Sequence, residues 1–116
     1  METHGTESAG YSVDVAGPAA LVTVRAWGFW DVELALGFAR NVLRACATAP
    51  AGAQLSFDAA GLKPMRDEGQ AALARVLDSL SPSPISQVVI TTSSQLIKLQ
   101  LMRIARQSKF NEVTFV

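Results

Sequence analysis

Few side chains in this sequence have a type and spacing that could do chemistry. Arg66, Asp67 and Glu68 stand together between a turn containing Gly61 and Pro64 and an apolar helical pattern. That placement puts charge of both signs at a helix N-terminus, on a rigid base, where another molecule can read it. The competing structural account is that Asp67 caps the helix, Glu68 complements its dipole and Arg66 is solvated. Thr91, Thr92, Ser93 and Ser94 gather hydroxyls ahead of a later helix. With no glycine-rich cradle and no phosphate-loop lysine they suit N-capping better than anion binding, and Lys98, one turn in, adds little. The single cysteine, Cys46, falls in an apolar helical stretch, and the single histidine, His4, in a polar leader, so a nucleophile has no base beside it. Nothing else resembles a triad, a zinc-ligand set or an acid–base dyad. The expectation is a protein that is not an enzyme and uses no metal and no cofactor.

Composition narrows the partners. Ten Lys and Arg balance ten Asp and Glu, so no net field would draw the chain onto a phosphate backbone, and nucleic acid is not expected as a ligand. Charged residues interrupt every hydrophobic segment before the ~20 residues of a membrane span. The lone Cys46 makes no internal disulfide and suits a reducing cytoplasm, where it would serve as a small buried hydrophobe. At 116 residues, 49% of them hydrophobic, one domain with a proper core is expected. METHGTESAG lacks a basic and an apolar signal region, so residues 1–10 read as a flexible tail before a single domain over 11–116.

The elements that must position these residues follow from periodicity and punctuation. YSVDVA alternates as a strand; Gly17 and Pro18 break it; Ala19 to Ala26 resume as a second strand, making a hairpin. Asp31 is a good N-cap, with Glu33 in the first turn. Val32, Leu34, Leu36, Phe38, Ala39, Val42, Leu43, Ala45 and Cys46 then occupy one broad arc of a helix that stops near Pro50. AQLSFDA, residues 53–59, is a third strand leading into a loop over 60–66. Asp67 and Gln70 have capping-box spacing for a second helix, closed by SPSPI. Ile85 to Thr91 suits a strand buried on both faces, Ser93 or Ser94 caps a third helix to about Gln107, and EVTFV is the fifth strand. The order ββαβαβαβ gives an α/β domain with a mixed five-stranded sheet, a hairpin start and then βαβαβ crossovers.

Two apolar features fall outside that scheme. On the third helix Ile97, Leu101, Ile104 and Ala105 share the arc that faces the sheet, whereas Leu96 and Leu99 lie opposite, among Gln100, Arg103, Arg106 and Gln107. They are either an interface or scattered surface leucines. Trp27, Phe29 and Trp30, at a strand-to-helix junction, are either a hot spot or core, and core with one indole partly exposed is the expectation.

This order of elements resembles the STAS domain, the fold of the anti-sigma factor antagonists (sporulation stage II AA-like). The family's typical segment is a strand ending Asp-Leu-Ser-Gly, a short loop, and Asp-Ser-Ser-Gly opening a helix. Phe57-Asp58-Ala59-Ala60-Gly61 is similar to the first part, and Arg66-Asp67-Glu68-Gly69 falls at the spacing of the second. The Trp-Gly-x-Trp segment and KLQLMRIA are similar to a branch of the superfamily that lacks the serine motif. Asp58, Gly61 and Gly69 match, while Glu68 stands where the resemblance places the phosphorylatable serine. The resemblance therefore implies a regulatory module that binds a protein partner, an anti-sigma or kinase-like regulator, without that phospho-switch. A partner-binding surface of Asp58, Arg66, Asp67, Glu68, Gly69, Leu96, Leu99 and Arg103 is expected. A self-assembling subunit, mating through Leu96 and Leu99 or the edge strand at Val113 to Val116, and a carrier of a small apolar ligand are the alternatives.

Overall fold

The computed structural model describes residues 2–116. Its elements run β1 (Glu2–Gly5), β2 (Gly10–Ala16), β3 (Leu21–Gly28), α1 (Val32–Ala47), β4 (Ala53–Leu62), α2 (Asp67–Asp78), β5 (Ile85–Thr91), α3 (Gln95–Gln107) and β6 (Val113–Phe115). The six strands form one sheet in chain order. β1, β2 and β3 pair antiparallel, and β3 to β6 pair parallel. A right-handed crossover between adjacent parallel strands, repeated three times in one direction, puts α1, α2 and α3 on the same face. The result has two layers.

Burial along the strands confirms the one-sided cover. Val22, Val24 and Ala26 of β3 are buried and alternate with exposed Thr23 and Arg25; Leu55, Phe57 and Ala59 of β4 are buried and alternate with half-buried Ser56 and Asp58. The core lies between this face and the helices. Phe38 of α1 is its hub, with ring contacts to Tyr11, Trp30 and Phe57. A small space lined by Phe38, Phe57, Leu73 and Leu101, among others, amounts to about 20 Å³ and is wholly apolar. That is room for about one water, with no polar group to hold it.

Several sequence expectations need correction. The sheet has six strands, not five, because the stretch taken as a flexible tail contains β1; Met1 lies outside the described residues. ETHG has no apolar alternation to betray it: Glu2, Thr3 and Gly5 are exposed, and the strand is held by backbone pairing to β2 and by His4. The imidazole stacks on Tyr11 with ring centroids 4.9 Å apart. Both indoles of the Trp-Gly-x-Trp segment also fasten this end of the chain, Trp27 Nε1 donating to the Thr6 carbonyl at 2.8 Å and Trp30 Nε1 to that of Gly10 at 3.2 Å. β4 continues past residue 59 to Leu62, so the loop shrinks to 63–66. β5 is buried on one face only, with Ser86 and Gln87 exposed. On α1, Val32 and Leu36 were assigned to the buried arc but face solvent.

Asn41, the one buried polar side chain among the described residues, sits where α1 crosses β2. Its Nδ2 donates to Tyr11 Oη at 2.8 Å, and Arg44 Nη2 donates to its Oδ1 at 2.9 Å. Tyr11→Phe leaves the buried Asn41 amide short of an acceptor and should cost about 1–3 kcal/mol in urea unfolding. The double change Tyr11→Phe, Asn41→Leu should recover much of that loss, since it removes the stranded donor as well.

Candidate functional site

The start of α2 is built on buried Met65 and two glutamines. Pro64 ends the extended chain after β4, and the Met65 backbone is then clamped from two helices. Its N–H donates to Gln100 Oε1 of α3 at 3.2 Å; its carbonyl accepts from Gln100 Nε2 at 3.3 Å and from Gln70 Nε2 of α2 at 3.0 Å. Gln70 thus reaches back to the loop, as a capping-box side chain does, but the N-cap is Arg66 and not Asp67. Arg66 has extended backbone and no side-chain cap hydrogen bond. Asp67 and Glu68 occupy the first turn, where their charge favours the free amides and the dipole. All three charged residues are exposed. The glutamine clamp escaped sequence reading because Gln70 and Gln100 sit at ordinary surface spacings; only their separate positions, one turn into α2 and two into α3, hinted at it.

The eight expected surface residues divide among different places. Arg66 and Asp67 stand at the open mouth of α2. Arg103 of α3 donates to Gln70 Oε1, so its guanidinium extends the glutamine clamp across the α2–α3 seam. Leu96 and Leu99 are 54% and 55% exposed on the outer face of α3, while Ile97, Leu101 and Ile104 seat its inner face. Glu68 instead turns toward α1: with Val32, Ala35, Leu36, Ala39, Ala71, Ala72 and Arg75 it lines a groove between α1 and α2. Asp58 belongs to the uncovered face of the sheet, away from the helices, where it accepts from the Ala60 N–H at 3.0 Å and pairs in register with Arg25 and Thr91. Gly69 is buried, and a Cβ there would come 3.2 Å from Met65 Cβ. Its role is to let α2 sit on Met65, so it presents nothing to a partner.

The other candidates resolve into structure. Ser94 caps α3, accepting from the Ile97 N–H at 3.4 Å, and Ser93 Oγ donates to the Ala60 carbonyl at 2.8 Å, so these hydroxyls serve the fold. Both tryptophans are half-buried, and the exposed aromatic at the junction is Phe29, at 67%. His4, expected in a tail, joins Glu2, Tyr11 and Asn41 in the cluster over α1; its hydrogen bond holds the Glu2 carboxyl below its ordinary value. Among the described residues no three His, Cys, Asp or Glu side chains group as metal ligands. Among the described residues no helix is long and apolar enough to cross a membrane.

With that geometry in view, the comparisons bear on the fold. No family model matches the chain, and no curated protein matches it. Among solved structures it is similar to the crystal structure of an uncharacterized protein of the DUF3478 family with a SpoIIAA-like fold from Shewanella loihica PV-4. The TM-score is 0.69 and the identity 11%, over 97% of this chain and 90% of that one. The chain therefore has the SpoIIAA-like, STAS-type fold.

Cys46 is buried on α1, and desolvation pushes its thiol up to about 11. Because the reactive form is the thiolate, a thiol reagent near pH 8 should label Cys46 at least tenfold more slowly, on the order of that pKa rise, than the urea-unfolded chain. Equal rates in the two states would show the helix open.

Proposed function

We propose that the chain is a non-enzymatic regulatory module that recruits a protein partner on its helical layer. The observation that carries this reading is the pair Leu96 and Leu99. Each stays more than half exposed on a helix whose opposite face is fully seated in the core. Burying a leucine against a partner is worth roughly 1.5–3 kcal/mol, so two adjacent ones can anchor an interface. Arg66 and Asp67 supply a charged rim, and the clamp of Gln70, Gln100 and Arg103 gives that rim a rigid base across the α2–α3 seam.

The STAS-type fold makes an anti-sigma or kinase-like regulator the partner class of choice, acting in the cytoplasm. Glu68 carries a fixed negative charge where the resemblance places a phosphorylatable serine, so binding would not be switched by phosphorylation at that position. The expected mode is constitutive docking.

The test is affinity capture from the native cytoplasm, followed by titration of the partner so identified against the variant Leu96→Glu, Leu99→Glu. Affinity should fall by about 2 kcal/mol or more, roughly thirtyfold, as for hot-spot residues. An unchanged partner set and unchanged affinity would remove this face from the account.

A further inference from the structure

The groove between α1 and α2 has a charge order that matches its own copy. Its floor is Ala35, Ala39 and Ala72, and its rims carry Val32 and Leu36 on one side and Ala71 on the other. Val32 is 47% exposed and Leu36 54%. Of the residues that line the groove, Glu68 is the second residue of α2 and Arg75 the ninth, while Glu33 and Arg40, at the same positions of α1, stand outside its lining. The helices run parallel and side by side, so the groove has an acidic end and a basic end about 10 Å apart, seven residues at 1.5 Å each. Leu36 and Ala71, the fifth residue of each helix, mark its middle.

We infer that this groove is the interface of a symmetric homodimer, with a second copy of the chain seated antiparallel across it. A twofold axis through the level of Leu36 and Ala71 brings the acidic end of one protomer onto the basic end of the other. Glu68 then faces Arg75 of the second copy, a contact made twice by symmetry. Leu36 of each protomer meets Leu36 of its mate at the axis, over the alanine floors. An unrelated helix could use the apolar groove, but self-complementary charge along its α2 rim selects the same chain in the reverse direction. The two helices, about 24 and 18 Å long and roughly 10 Å apart, offer on the order of 400 Å² of face. That is about half of the ~800 Å² per partner of a standard interface, so the dimer is weak. This surface is separate from the Leu96 and Leu99 face of α3.

Sedimentation velocity of the full chain from about 10 µM to about 1 mM should show a monomer–dimer equilibrium in that range. Leu36→Glu should hold the protein monomeric throughout. Glu68→Arg or Arg75→Glu alone should weaken the dimer about tenfold, and the two together, which restore the charge order in reverse, should recover most of the loss. Circular dichroism of each variant establishes that it is folded. A wild-type monomer at the highest concentration overturns the inference. So does a dimer that survives Leu36→Glu, or one that is lost on Leu96→Glu, Leu99→Glu instead, or a charge-swapped double variant no better than its parents.

Discussion

The handedness of the parallel crossovers is the constraint on which the rest of this structure depends. Three right-handed βαβ steps taken in one direction leave every α-helix on one side of the sheet, and among the described residues none covers the other. The consequences run in both directions from the core. The sheet must alternate, with Val24 and Phe57 inward and Arg25 and Asp58 outward, because its outer face meets water. The helices in turn have only their inner faces engaged, so any apolar residue on the outer faces of α1 or α3 is left in solvent.

Most of the chain obeys that partition closely, which gives its exceptions meaning. Asn41 is the buried polar group among the described residues, and it is fully engaged by Tyr11 and Arg44. Gln70 and Gln100 spend their amides on the Met65 backbone. Among the described residues no buried side-chain nitrogen or oxygen lacks a hydrogen-bond partner, where leaving one unmet would be costly. The departures are Val32, Leu36, Leu96 and Leu99, apolar side chains on helices that already have sufficient core contacts. They fall in two groups, one beside the charged α1–α2 groove and one on α3. The STAS-type fold shared with the protein from Shewanella loihica PV-4 accounts for where the helices lie, not for these residues.

What the sequence made legible is what has strong period or punctuation. Asp31 caps α1 as its position suggested, its carboxylate accepting from the Leu34 N–H at 2.8 Å. The hairpin break at Gly17 and Pro18, the Ser94 cap and the outward leucines of α3 were all readable from spacing alone. β1 was not, because an exposed edge strand needs only backbone partners and ETHG carries no hydrophobic signal. Leu36 was misassigned because the α1 arc is broad. At 100° per residue it sits at the margin, and whether the margin is buried depends on how close α2 comes, which is set by the small residues Ala71 and Ala72. The candidate site was only partly legible for a related reason. Asp58, Glu68 and Gly69 are near in sequence, but the alternation of β4 and the turn of α2 send them to the open sheet face, the α1 groove and the interior.

The central claim is that the outward leucines hold no part of the fold and are there for association. It is tested most directly by urea unfolding, at micromolar concentration or below, of the variant Leu36→Gln, Leu96→Gln, Leu99→Gln. Glutamine matches leucine in helix propensity, so the change removes apolar surface alone. The account predicts stability within about 1 kcal/mol of wild type, against a loss of about 2–5 kcal/mol for the buried-core control Leu101→Ala. A loss in the triple variant as large as in that control would contradict it, because those side chains would then be part of the core.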